Sequence, residues 1–481
     1  MTSRTSKVFS LTLGQALTSL VMLISSMILA RVLSKHDLAT VRQTLLAYRF
    51  AAPLLMLGVP QAVFYFLPGE KSRPRGVLID NFTILTVLGG VFSLFLALGG
   101  NELLALRFSN PDLSKTLRWM IPYPLFVMPV AMLGGVMVIK ERVRAFAAYT
   151  IVSNTILALT VIGAALWTQG YTGPLAAQIL VPAVFLPVAL WLAFSSVPGK
   201  WTLPNPSSMR EMLKFSVPLG MATMFGTMTM QLDKVIVSVL TSPEEFAVFS
   251  NGAVEVPLIG IITGSVTVVV LAEMRKSAAE GKYQETVRLF RLTAEKTSYI
   301  LFPAMFFLFI SADSFIQTLF SEKYADSVVP FRWYLLLLPV RTVVFGSLLM
   351  AMNKTKVILF RSFVSLCVNC VLSIIFVSIF GAWGAVIATV VTVYLWDVAY
   401  NLYTFEKLLL IPWFHFFPIQ IWFRTLSFLT LVSFGLLFIN HFNIHLEPVY
   451  RLLINGMYFG AFMLFWWEGK LYNIRQLFKA K

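Results

Sequence analysis

Phe9-Ser10-Leu11-Thr12-Leu13-Gly14 opens one long apolar segment, and Phe215-Ser216-Val217-Pro218-Leu219-Gly220 opens another in the same way. Leu117-Arg118-Trp119 returns as Phe331-Arg332-Trp333. Gly170-Tyr171-Thr172-Gly173-Pro174-Leu175-Ala176 returns, loosely, as Gly381-Ala382-Trp383-Gly384-Ala385-Val386-Ile387. The offsets are 206, 214 and 211 residues, so the pairs stay in step through loops of slightly different length. Chance likeness among apolar segments explains one such match far more readily than three in order. In an apolar chain, duplication of this kind reads as two bundles of membrane helices with a path between them.

Composition supports that reading. The 481 residues are 58% hydrophobic and 12% charged, which excludes an ordinary soluble globular domain. Apolar runs of about 20 residues recur from end to end, each long enough to cross ~30 Å of hydrocarbon. The net charge of +16 does not point to nucleic acid, because the basic residues sit in short loops between apolar runs. Cys367 and Cys370 share one helix face but have no companion ligands, so they read as small apolar packing residues. The first apolar stretch, about 8–33, is too long for a signal-peptide core and returns at Phe215, so it is expected to be retained as the first span.

Fourteen spans are expected, near 8–33, 43–67, 77–99, 119–138, 146–167, 172–195, 213–240, 246–272, 297–312, 330–351, 357–380, 383–405, 418–439 and 448–467. With both termini cytoplasmic, roughly 23 basic residues fall inside and about nine outside, and the bias alternates loop by loop. No loop exceeds about 25 residues, so no sizeable soluble domain interrupts the chain. Trp466-Trp467 fits an interfacial aromatic belt, and the basic tail 469–481 either lies along the inner leaflet or is solvated. The fold class is therefore an all-α polytopic membrane protein. Residues 1–199 form one six-helix bundle, 200–410 a second in the same orientation, and 411–481 two extra helices with a cytoplasmic tail.

Four segments carry a family resemblance. Leu13-Gly14 opens a helix that closes on Ala30-Arg31-Val32-Leu33-Ser34, followed by Asp37-Leu38-Ala39. Leu57-Gly58-Val59-Pro60-Gln61-Ala62 lies in span two. Gln231-Leu232-Asp233-Lys234-Val235-Ile236-Val237 in span seven leads to Pro243-Glu244-Glu245-Phe246-Ala247. Phe380-Gly381-Ala382-Trp383-Gly384-Ala385-Val386-Ile387-Ala388 enters span twelve. In order and spacing these resemble the polysaccharide and O-antigen flippases of the multidrug/oligosaccharidyl-lipid/polysaccharide exporter superfamily. Ala39 and Ala247 depart from the glycine expected in that family's post-helix turn. The resemblance implies movement of an isoprenoid-diphosphate-linked sugar or oligosaccharide from the inner to the outer leaflet. It also implies two bundles forming a V that opens to alternate faces, with no cofactor. The implied partners are the lipid-linked glycan, membrane lipids, and a glycan polymerase or glycosyltransferases of the same route.

Such a substrate joins an anionic diphosphate and a polar glycan to a long apolar tail, so ionisable residues inside spans are the first site candidates. Arg49 lies about seven residues, or ~10 Å of helix rise, beyond Arg42, too deep for easy snorkelling. A guanidinium binds two phosphate oxygens at once, though an ion pair joining two helices is the alternative. Glu255 in span eight sits at a matching level and reads as a gate partner, a coupling-ion group or a structural pair. Asp233 and Lys234 point about 100° apart, one toward a neighbouring helix and the other toward the cavity. Arg341 is deep in span ten, whereas Arg361 is close enough to the inner boundary to snorkel. Asn154, Asn251 and Asn369 suit either glycan hydroxyls or interhelical hydrogen bonds. Tyr48, Tyr65 and Trp396 suit sugar stacking or packing, and Asp80-Asn81 and Asp397 are polar intrusions of unknown partner. The four histidines show no metal spacing, and no nucleophile motif or clustered carboxylates point to an enzyme. A cation-coupled multidrug exporter is the runner-up, which would favour acidic cavity residues; a polytopic glycan polymerase is the third reading.

Overall fold

The computed structural model describes residues 4–70, 72–254, 257–443 and 445–479. Every regular element among them is helical. In chain order the helices are α1 (Arg4–Val32), α2 (Lys35–Met56), α3 (Val59–Gly69), α4 (Pro74–Phe95), α5 (Asn101–Arg107), α6 (Asp112–Trp119) and α7 (Tyr123–Val127). There follow α8 (Leu133–Ile139), α9 (Val143–Thr168), α10 (Thr172–Ser195), α11 (Pro206–Leu240), α12 (Pro243–Gly252) and α13 (Pro257–Ala279). The rest are α14 (Tyr283–Ile310), α15 (Ala312–Phe320), α16 (Val328–Leu335), α17 (Leu338–Arg341) and α18 (Phe345–Ala351). The last five are α19 (Thr355–Phe380), α20 (Gly384–Thr392), α21 (Ala399–Leu409), α22 (Ile419–Phe442) and α23 (Pro448–Lys479).

Nine helical stretches among the described residues are long and apolar enough to span a membrane, and up to eleven if each of two bent pairs counts as one. The other three expected spans fall on α1, α11 and α12–α13. Many large apolar side chains point outward, including Trp167, Phe423, Leu431 and Phe465. Water would not tolerate such a surface, whereas hydrocarbon does, so this is a multi-pass membrane protein.

Several spans are broken where hydropathy alone reads them as continuous. Span two stops at Leu57 and Gly58, both left-handed (φ 39° and 76°), and restarts as α3. The ninth span is not the short segment 297–312: α14 begins at Tyr283, and at Ser311 the chain bends by 78° into α15. The Ser311 hydroxyl at that corner accepts from the Asn455 side chain at 3.1 Å, which satisfies a buried polar group at the break. The tenth span bends by 42° before α17, where Pro339 lacks the N–H a straight helix would use.

The chain divides into two compact units, Met1–Ala247 with Ser362–Ala385, and Val248–Arg361 with Val386–Lys481. The first is centred on a core between α3, α4, α8 and α10, with Val63, Leu78, Leu85 and Val136 fully buried. In this unit α1 packs along α9, and α11 packs on α2 and α3. The second has a core around Phe290, Leu348, Phe405 and Phe416, and another where α22 and α23 close on α14 through Phe302, Leu429 and Leu436.

Candidate functional site

In the first unit, α2 buries residues 43–48 and then exposes Arg49. Arg49 makes no hydrogen bond or ion pair among the described residues, although its charge reaches the Tyr123 hydroxyl. Next to it, Tyr48 is buried edge-on against Tyr123 (5.0 Å) and Phe92 (6.2 Å), so its ring is committed to packing. Tyr65 on α3 is exposed and stacks on Phe215 at 4.4 Å.

The N-terminal half of α2 holds a fully buried polar network. Gln43 donates to the Ser238 hydroxyl on α11 at 2.8 Å and to the Phe108 carbonyl at 3.3 Å. Asn110 donates to Gln43 Oε1 at 2.7 Å and to Thr40 Oγ1 at 2.9 Å, and the Thr44 and Thr116 hydroxyls meet at 2.8 Å. A buried network of this completeness fixes α2, α6 and α11 in one register.

Above this network sits a histidine held from both sides. Nε2 of His36 lies 2.9 Å from Asp112 Oδ2, and Nδ1 lies 3.1 Å from Glu244 Oε1. Tyr171 donates to the other Asp112 oxygen at 3.1 Å. These four residues come from four different loops or helix starts of the first unit. Ser34 caps α2, accepting from the Asp37 N–H at 3.0 Å, and Ser242 accepts from the Glu245 N–H at 3.2 Å, with Glu245 reaching back to the Ser242 N–H. The two starts are copies of one serine-led cap, Ser34-Lys35-His36-Asp37-Leu38-Ala39 and Ser242-Pro243-Glu244-Glu245-Phe246-Ala247, at an offset of 208. Sequence reading passed over His36 because it has no metal spacing, but the repeated cap was there to be read.

Where span two breaks, Gly58 lies against α11: a side chain on Gly58 would come within 2.8 Å of the Gly220 Cα and the Ser216 carbonyl. At the other end of the unit, Asp80 is fully buried and takes both arms of Arg73, at 2.9 and 3.2 Å. Asp80 also accepts from the Asn205 N–H at 2.8 Å, while Arg73 reaches Thr202 at 3.0 Å and the Leu203 carbonyl at 2.6 Å. Asn81 donates to the Val59 carbonyl at 2.7 Å, securing the restart of span two. These are the partners the sequence left unnamed for Asp80 and Asn81.

Of the remaining first-unit candidates, Asp233 is fully buried and accepts the Lys234 N–H at 2.7 Å, with the Lys234 side chain half-buried. Asn154 donates to the Thr150 carbonyl one turn back, at 2.8 Å. In the second unit, Arg361 faces Asp397 at 3.7 Å and donates to Asn401 Oδ1 at 3.3 Å. Asp397 and Trp396 lie in a π-helical turn, 393–398, and the indole N–H donates to the Arg361 carbonyl at 3.2 Å while its ring stacks on Tyr400. Arg361 thus has a carboxylate partner. Arg341 is exposed on the wall of a small cavity of roughly 50 Å³ whose other walls, Ile259, Thr263, Tyr334 and Leu338 among them, are largely apolar. Asn251 is fully buried, and Glu255 lies outside the described residues. No group of three or more histidine, cysteine or carboxylate side chains among the described residues has metal-binding geometry.

Comparison with known proteins places this geometry. A family model described as "Polysaccharide biosynthesis protein" matches residues 8–329. A comparison with curated protein sequences finds no match. Among solved structures, the lipid II flippase MurJ in an inward closed conformation superposes with a TM-score of 0.77 at 14% identity, over 96% of this chain and 99% of that one. An inward-facing multidrug resistance MATE family transporter of the MOP superfamily gives 0.60 at 13% identity, over 81% and 94%. A MOP superfamily transporter from Pyrococcus furiosus, described by the reverse polarity of its binding pocket, gives 0.57 at 14% identity, over 83% and 94%. At these identities the likeness is one of fold.

Proposed function

The chain belongs to the polysaccharide biosynthesis protein family, and from that premise we propose that it is a flippase for a lipid-linked glycan. It carries an isoprenoid-diphosphate-linked sugar or oligosaccharide from the cytoplasmic to the outer leaflet of the cell membrane by alternating access. The two sequence repeats act as the moving bundles, both termini are cytoplasmic, and no bond is made or broken. The product feeds cell-surface polysaccharide assembly, O-antigen or lipopolysaccharide included, beside the glycosyltransferases and polymerase of that route.

Arg49 carries the reading. An exposed guanidinium with no ion-pair partner among the described residues, well inside an apolar span, is costly unless it faces water and an anion. A diphosphate is such an anion, and a guanidinium grips it through two oxygens. Lys234 and Arg341 add cationic character, while Asp233, Glu255, Arg361, Asn154 and Asn251 serve as gating, coupling or glycan-contact groups. A cation-coupled drug exporter would put carboxylates where this chain puts Arg49 and Arg341.

The test is reconstitution in vesicles containing a fluorescent isoprenoid-diphosphate glycan. Wild-type protein is expected to expose the glycan to an outside quencher, and Arg49→Ala to lose that activity while inserting at normal abundance. Full activity of Arg49→Ala would remove its assignment. A deletion strain that loses drug tolerance but keeps its surface glycan would favour the exporter.

A further inference from the structure

We propose that His36 is a proton-sensitive latch that ties the start of α2 to the start of α12 through Glu244 and lets go when the ring loses a proton. The argument begins with donor counting. A neutral imidazole has one N–H and one bare nitrogen, whereas the doubly protonated ring has two N–H donors. Both nitrogens of His36 face carboxylate oxygens, at 2.9 Å (Asp112) and 3.1 Å (Glu244). Ionised carboxylates only accept, so only the imidazolium satisfies both contacts at once.

The two contacts do not have equal backing. Asp112 is held from behind by the Tyr171 hydroxyl, and its own N–H donates to Asn110 Oδ1 at 3.2 Å. Asn110 is anchored in turn in the buried Gln43–Thr40 network. Glu244 sits in the exposed first turn of α12. A ring left with one proton therefore keeps Nε2–H on Asp112 and turns a bare Nδ1 toward Glu244, and it is the α12 contact that breaks.

The other charged groups nearby are Lys35 and Asp37 on the same turn, Arg31 at the end of α1 and Glu245 beside Glu244. Together α2 and α3 run 35 residues, about 50 Å if straight. That exceeds the hydrocarbon thickness of ~30 Å, so the first turn of α2, with its three charged or titratable residues, stands in the aqueous boundary. There, partial burial by itself would lower the pKa of His36, but the Asp112 and Glu244 carboxylates outweigh it and raise the pKa above its ordinary value. The latch is complete below that ordinary value and is lost as pH rises through the raised one.

The proton dependence of this contact is independent of what the protein carries; its place in a transport cycle rests on the flippase reading. The test therefore measures the contact without substrate. Spin labels go on Lys115→Cys in α6 and Val248→Cys in α12, the helix that Glu244 begins, in protein carrying Cys367→Ser and Cys370→Ser. Distances are read by double electron–electron resonance in lipid nanodiscs at about pH 5.5 and about pH 8.5. The expected result is one short distance at the lower pH and an added longer population at the higher. His36→Gln is expected to show the longer population at both, and Glu244→Gln, whose amide can donate to a neutral ring, the short one at both. A distance distribution that ignores pH while His36 and Glu244 are both present overturns the latch, as does a pH response that survives His36→Gln. A pH-independent glycan assay beside a pH-dependent distance would leave the latch standing and remove it from the transport cycle.

Discussion

Gly58 and Gly220 meet backbone to backbone, the first in a left-handed turn (φ 76°) between α2 and α3 and the second inside α11. Gly220 is the echo of Gly14 in the duplicated motif, yet the two do different work. A Cβ on Gly14 would make ordinary contacts with Ala147 and Ile151 at 3.7 Å, whereas one on Gly220 would overlap the Leu57 carbonyl. Gly220→Ala is therefore expected to destabilise by roughly 1–3 kcal/mol or more through forced backbone movement, and Gly14→Ala to be tolerated. Thermal unfolding of the two purified variants checks this; equal midpoints would mean the close approach is dispensable.

The Arg73–Asp80 pair gives a second expectation. Asp80→Asn leaves a mostly buried guanidinium without its counter-charge and should cost roughly 3–5 kcal/mol. Arg73→Lys should fail to preserve stability, because a point charge cannot make both arms of the fork. Detergent-stability profiles of the two variants decide it, and a normal Arg73→Lys profile would count against the bidentate geometry.

Gln43 is the hub of the buried network, so Gln43→Leu strands Asn110 and Ser238 together. The expected loss is roughly 1–3 kcal/mol. Because the groups act as one network, pairing it with Asn110→Ala should cost less than the sum of the single effects. Additive losses in that double-mutant cycle would mean the bonds act separately.

At Arg49 the chemistry of the cation matters as well as its charge. Arg49→Lys keeps the charge but loses the two-oxygen grip, and its flipping rate is expected to fall by about tenfold, between wild type and Arg49→Ala. Initial rates in the vesicle assay measure it. Equal rates for Lys and Arg would reduce the role of Arg49 to general electrostatics.

The helical class was legible because hydropathy is summed over many residues. The breaks were less so, because an apolar window averages over a turn made by two residues. Gly58-Val59-Pro60 could have marked the break in span two, since glycine takes the left-handed turn and proline suits the restart. The bend at Ser311 left no such mark; its support comes from Asn455, 144 residues later. Site candidates read from rarity alone were located but not partnered: Asp397 gained Arg361, Asp80 gained Arg73, and Arg49 gained neither hydrogen bond nor ion pair among the described residues. His36 was missed because its meaning lies in Asp112 and Glu244, which local spacing cannot supply.

Asp80 completes its bonding only with the N–H of Asn205, from the connection that leads into α11. A ribosome feeding this chain into the bilayer delivers Arg73 and Asp80 more than a hundred residues before Asn205. Until then the Asp80 carboxylate is one donor short. The Arg73–Asp80 site is therefore completed only after synthesis has passed Asn205, and the order of translation is written into a single side chain.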